Sequence, residues 1–198
     1  MKKSKLVLSI LFVVFTNSLQ AKDKYYQQMA DSEMKRNPQS WMIDFSKAPK
    51  WNYCHGFELQ SILQVWEKTK EQKYFDYAYS FTDLMLNQEG EIKTYKLEEY
   101  NIDRVNSGKI LFPIYNETKE ERFDRALHLL SSQMETHPRT EAGSFWHKKV
   151  YPHQVWLDGI YMACPFLAPC AEVYNQPELF DDVVLQILDC HKYMFDLE

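Results

Sequence analysis

Glycine is scarce in this chain, at 5 of 198 residues. Runs of β-branched residues are few as well, which argues against a β-sandwich and for helices. Cysteine is nearly absent too. Cys54, Cys164, Cys170 and Cys190 fit no zinc or redox spacing, so we read all four as small apolar core residues rather than disulfide partners. Positive charge is in deficit: 23 Lys and Arg stand against 28 Asp and Glu, a formal net charge of −5. Phosphate binding needs clustered cations, so nucleic acid is excluded as an expected partner. A few local cations can still bind one sugar carboxylate. There is also no apolar run beyond the N-terminus long enough to cross a membrane.

The N-terminus itself reads as an address. Lys2, Lys3 and Lys5 precede the ten-residue apolar run Leu6 to Phe15, and a polar stretch ends at the small residue Ala21. This is the pattern of a cleavable secretory signal over 1–21. It implies a secreted or periplasmic mature chain over 22–198, with a charge of −8 once the three lysines are gone. No cysteine stands at the cut to carry a lipid.

Aromatic residues are plentiful: 13 Tyr, 12 Phe and 5 Trp make 15% of the chain. Many of them fall within a weak internal repeat. Thr69-Lys-Glu-Gln-Lys-Tyr-Phe-Asp-Tyr-Ala78 resembles Thr118-Lys-Glu-Glu-Arg-Phe-Asp-Arg-Ala126, and Asn175 to Val183 is a looser third copy. The Phe-Asp pairs begin at Phe75, Phe123 and Phe180, so the spacings are 48 and 57 residues. Each copy follows an apolar segment that opens near a glycine, at Gly56, Gly108 and Gly159. After each turn comes a stripe of helical period: Tyr74, Ala78, Phe81, Leu84 and Met85; then Phe123, Ala126, Leu127, Leu130 and Met134; then Phe180, Val183, Val184, Ile187 and Leu188. Helices that are apolar nearly all round, such as Ile110–Tyr115 and Ile160–Tyr174, are buried ones. Alternation of the two kinds predicts an all-α toroid, with inner helices ringed by outer ones. A TPR-type solenoid repeats at about 34 residues, which is too short.

Two long connections break the pattern, 88–107 and 137–157. Loops of that length tend to carry function. Both end where an inner helix begins, so both lie at one end of the ring, and Asp103 and Asp158 are expected to face the same cavity. The segment Phe145 to Met162 is the densest in chemistry. It sets His147, His153 and Asp158 among Trp146, Tyr151, Trp156 and Tyr161 within 18 residues. Ionisable groups among aromatics mark a desolvated pocket with a polar centre. The spacing of His147, His153 and Asp158 suits no zinc motif, and no metal is expected.

The segments 51–56 (WNYCHG), 100–108 (YNIDRVNSG), 137–148 (HPRTEAGSFWHK) and 151–162 (YPHQVWLDGIYM) resemble glycoside hydrolase family 105 and the related family 88, the unsaturated uronyl hydrolases. The resemblance covers nearly all of the mature chain. It implies an (α/α)6 barrel, of which about three hairpins are present here. Six hairpins of about 50 residues need about 300, so the resemblance predicts a partial barrel and a truncated or frameshifted product, whose activity truncation could abolish. It further implies hydration of the 4,5 double bond of an unsaturated uronyl oligosaccharide, left by a lyase acting on pectin or rhamnogalacturonan, without a cofactor. Asp158 takes the place of the general acid/base and Asp103 that of its acidic partner. His147 matches a substrate-contacting histidine, Trp156 a sugar-stacking platform, and Tyr53 a pocket wall. The chemistry asks Asp158 to keep its proton near neutral pH, with Trp156 and Asp103 pushing that way and the helix start opposing. The rival reading is a non-catalytic periplasmic carbohydrate-binding or helical scaffold module.

Overall fold

The computed structural model describes residues 25–196, and these fold as helices joined by turns. The predicted signal segment lies outside the described residues. The helices are α1 (Tyr25–Arg36), α2 (Tyr53–Thr69), α3 (Gln72–Met85), α4 (Ile102–Asn106), α5 (Leu111–Thr118), α6 (Glu121–Thr136), α7 (Leu157–Val173) and α8 (Glu178–Met194). A 3-10 turn over Ser107–Ile110 joins α4 to α5, so the two make one interrupted inner helix. Extended pairing among the described residues is limited to isolated bridges, Asn101 with Lys148 and Arg139 with Phe145 among them. The fold is the all-α partial toroid expected. Hairpins α2–α3, α5–α6 and α7–α8 stand side by side, and α4 packs on both α2 and α7. Among the described residues no helix is long and apolar enough to cross a membrane.

The repeated Thr-Lys-Glu is a repeated turn. Lys70 (φ 60) and Lys119 (φ 59) end α2 and α5 in the left-handed conformation. Thr69 and Thr118 each donate a hydroxyl hydrogen bond back four residues, to the carbonyls of Val65 and Ile114. Each hydroxyl then accepts from the amide two residues on, at Glu71 and Glu120. The loose third copy places Asn175 (φ 52) at the same bend, a residue that tolerates this region. Phe75 and Phe123 of the Phe-Asp pairs are buried, the latter completely. Burying such a side chain is worth roughly 1.5–3 kcal/mol.

The repeated glycines let inner helices touch. A Cβ on Gly56 would lie 2.5 Å from Ser107 Cα and 2.9 Å from the Asn106 carbonyl oxygen. One on Gly108 would meet Leu130 and the Phe166 ring of α7 at 2.6 and 2.7 Å. Polar ties secure the same contact: Asn106 Nδ2 donates to the Tyr53 carbonyl, and Ser107 Oγ to that of Asn52. The start of α2 is thereby pinned to the middle inner helix, and at the start of α7 a Cβ on Gly159 would come within 3.0 Å of Ile102 Cδ1 at the start of α4, so all three starts gather at one end of the ring.

The third stripe departs from expectation. Phe180, Val184, Ile187 and Leu188 are 45–62% exposed, whereas Gln186 and Cys190 are the buried residues of α8. The helix turns a polar side inward. Arg139 makes a bidentate pair with Asp182, Ser144 donates to Asp189, and the Phe145 amide donates to Gln186. The outer helix thus holds the 137–147 loop by hydrogen bonds and leaves its apolar stripe at the open edge of the ring. The cysteine expectation is also corrected in part. All four thiols are free, and Cys164, Cys170 and Cys190 are buried, but Cys54 is only half-buried.

A 3-10 segment over Ser40–Phe45 covers the start of α2. Asp44 (φ 62) and Phe45 (φ 53) are consecutive left-handed residues there, a conformation that costs a non-glycine residue roughly 1–2 kcal/mol. The segment is anchored by the buried Ile43 and by a 2.8 Å hydrogen bond between Ser40 and Ser80.

Candidate active site

Asn101 begins the site. Its side chain accepts from the Asp103 amide and caps α4, which fixes Asp103 in the first turn of the middle inner helix. Asp158 stands in the first turn of the next, α7. Between them runs the 137–149 loop, stitched to the entry of α4: Ile102 N donates to His147 O, and Lys149 N to Tyr100 O. His147 N donates in turn to Gln154 O at 2.7 Å.

This framework brings three of the expected residues together. Oxygen atoms of Asp103 and Asp158 and a ring nitrogen of His147 all lie within 4.8 Å of one another. His147 Nε2 is 3.1 Å from Asp103 Oδ1, and Lys148 Nζ is 2.7 Å from Asp103 Oδ2. Burial pushes the Asp103 carboxyl up, but its bonds from His147 and Lys148 outweigh that and hold it below the usual carboxylate range. Asp103 is therefore an anion near neutral pH. The Asp158 carboxyl is exposed to solvent.

Trp156 is tied to the cluster through the histidine. It stacks on His147, with ring centroids 4.1 Å apart and planes at 11°, and Tyr151 stacks on Trp156 at 5.4 Å. The indole fixes the imidazole plane, which aims Nε2 at Asp103. Among the described residues His147 Nδ1 has no hydrogen-bond partner. It sits against Gly159, where a Cβ would approach it to 3.4 Å. Tyr53, 40% exposed, opens α2 at the same end of the ring. Its bond to the Cys54 thiol comes first among the effects that push its pKa up to about 12, and the charges of Asp44 and Asp103 add to it. Its hydroxyl keeps its proton.

Lys148 is the site residue that sequence reasoning did not single out. It follows His147 directly, and neighbours in an extended stretch usually point apart, so periodicity gave no signal that both would reach one carboxylate. Its ammonium also bears on metal binding. Asp103, His147 and Asp158 are a possible ligand trio, but Lys148 already supplies the cation at Asp103 Oδ2. His153 stands outside this cluster, with its ring against Trp146 at 4.5 Å.

His137 supports the loop from beneath. Its Nε2 donates to the Trp146 carbonyl at 2.7 Å, and Nδ1 faces the Gln133 amide at 3.4 Å. Burial pushes its pKa down to about 4, against the pull of the Trp146 bond. Nδ1 is thus an acceptor, and a proton there would confront the Gln133 N–H. The unfolded histidine titrates near 6.5, so the unfolded state binds the extra proton between about pH 6.5 and 4. The stability this histidine contributes is complete above that window and lost as the pH falls through it, by about 3 kcal/mol in all. Urea titrations from pH 7 to pH 4 should show the loss in the native chain and a shallower one in His137→Gln. Equal slopes would refute the assignment.

The sequence model of glycosyl hydrolase family 88 matches residues 25–198. Among solved structures, a glycoside hydrolase of family 105 from C. acetobutylicum ATCC 824 is 40% identical with a TM-score of 0.81, over 89% of this chain and 47% of that one. A possible family 105 member from Klebsiella pneumoniae subsp. pneumoniae MGH 78578 is 25% identical, with a TM-score of 0.63 over 74% of this chain and 38% of its own. A possible family 105 member from Salmonella enterica serovar Paratyphi A shares the fold at 22% identity and a TM-score of 0.63. The chain therefore spans about half the length of the first of these and less of the others. With its paired inner-helix carboxylates and its match across every described residue, the chain belongs to glycosyl hydrolase family 88.

Proposed function

We propose that this chain carries the catalytic face of a glycosidase that hydrates 4,5-unsaturated uronyl oligosaccharides, the products of lyases acting on pectin or rhamnogalacturonan. The signal-like N-terminus supports action outside the cytoplasm, in the periplasm or beyond. The observation that carries the reading is the meeting of Asp103 and Asp158, from two inner helices, around His147 and Lys148.

The substrate is a vinyl ether. A proton is added at C4, and water adds at C5 as it loses its own proton. The resulting hemiketal opens and releases the neighbouring sugar, so the glycosidic bond breaks after hydration. Separation rules for paired carboxylates in ordinary glycosidases do not apply to this chemistry. Asp103, held as an anion by two cationic or donor neighbours, is unsuited to give the proton and suited to orient a hydroxyl or water. The proton then comes from Asp158, which takes one back from the attacking water. Trp156 holds His147 in register, and Tyr53, protonated, offers a donor at the wall.

The direct test is the ultraviolet absorbance of an unsaturated uronyl disaccharide, which hydration bleaches. Bleaching by the purified chain is the expected result. Binding of the sugar without any bleaching would select the alternative, a non-catalytic carbohydrate-binding module.

A further inference from the structure

Lys109 is a buried cation that no acid answers. The residue is 3% exposed, and among the described residues its Nζ has no hydrogen-bond partner. It stands in the 3-10 turn between α4 and α5. The ammonium lies 3.7 Å from the centre of the Tyr161 ring of α7, and Phe57 of α2 meets that ring edge-on at 6.0 Å. Burial pushes its pKa down to about 8, with no carboxylate pulling it back. Holding an ammonium in this way costs stability, and an unpaired buried group of this kind marks a binding site.

A groove of about 220 Å³ between α2, α5 and α7 has Lys109 in its lining. Gln60 and Gln64 bring amides to it from α2, while Phe112, Pro165 and Pro169 give it an apolar wall. The two prolines sit inside α7 and lack the N–H that would meet the carbonyls four residues back, at Tyr161 and Pro165. Those oxygens are left to accept from other donors.

We propose that this groove is a second binding site, for a small sugar acid whose carboxylate pairs with Lys109. One buried cation balances one negative charge, so a monocarboxylate suits the groove better than a phosphate dianion. Amides and spare carbonyls suit hydroxyl groups, and the apolar wall suits the C–H face of a sugar ring. Glu67 also lines the groove, but it is exposed and its charge is screened by solvent. The long lysine stem lets the ammonium turn from the Tyr161 ring to the incoming carboxylate. The site is separate from the mouth, where the Lys148 ammonium is already paired with Asp103.

Calorimetric titration with sodium glucuronate reads the site, with glucose and inorganic phosphate as controls. Glucuronate should bind the native chain and Asp158→Asn alike. Lys109→Met should bind it about ten- to a hundredfold more weakly, the worth of a hydrogen-bonded charge, and should unfold at higher urea because it buries no ammonium. Undetectable binding by the native chain, or undiminished binding by Lys109→Met, would overturn the site. So would glucose or phosphate bound as tightly as glucuronate, and a loss of binding in Asp158→Asn would move the ligand to the mouth. Should Lys109→Met fail to fold, the Lys109 amine is followed by NMR in the native chain. A rise of its titration midpoint in saturating glucuronate supports the pairing, and an unmoved midpoint sinks it.

Discussion

Asp158→Asn should lower the rate of bleaching of an unsaturated uronyl disaccharide by about a hundred- to ten-thousandfold, the usual worth of a positioned proton donor. The fold should be untouched. The side chain is exposed in the first turn of α7, and asparagine is nearly isosteric with it. Binding of the disaccharide should survive, so kcat rather than KM carries the loss. The asymmetry with Asp103 gives the expectation its force. Asp103 is buried at 8% exposure and bonded to both His147 and Lys148, so its loss would disturb the loop as well as the chemistry. Asp158 can be altered with its neighbours in place. Circular dichroism and a urea transition like those of the native chain, together with undiminished bleaching, would remove Asp158 from the proton-transfer role.

Gly56→Ala should destabilise the chain by about 3 kcal/mol, the upper end for forcing a methyl into a filled core. The added carbon would stand 2.5 Å from Ser107 Cα, 2.8 Å from Ser107 N and 2.9 Å from the Asn106 carbonyl oxygen. All three are backbone atoms, so no side-chain rotation relieves the clash and two inner helices must separate. The midpoint of urea unfolding reads this directly. A loss below about 1 kcal/mol would mean that the helices accommodate the methyl by sliding, contrary to the tight packing of interiors.

The repeat is the part of the architecture most legible in the sequence. Glycine followed by an apolar segment, a Thr-Lys-Glu turn and an apolar stripe is a local signal at every step. Each piece has a local cause: a hydroxyl returning to the carbonyl four residues back at Thr69 and Thr118, or a missing Cβ at Gly56. The pairing of Asp103 with Asp158 followed from placing both at helix starts on one end of the ring. What was not legible depends on contacts distant in sequence. The period of α8 marks an apolar face, but period alone does not say which face meets the core. The decision fell to Arg139, Ser144 and Phe145, whose partners Asp182, Asp189 and Gln186 lie 41 to 45 residues away. Lys148 was hidden for a similar reason. Its role depends on the curvature of a loop that is set by pairing with Tyr100–Ile102. The stack of Trp156 on His147 is likewise a contact between residues of one loop that period does not announce.

The gathering of the inner-helix starts has an electrostatic consequence. Peptide dipoles in α2 and α7, and in the interrupted helix from Ile102 to Thr118, all direct their amide ends toward the same mouth. Lys148 adds a full charge there. In a chain whose overall charge is −5, these amide ends and the Lys148 ammonium are what offset the carboxylates of Asp103 and Asp158 gathered at that opening.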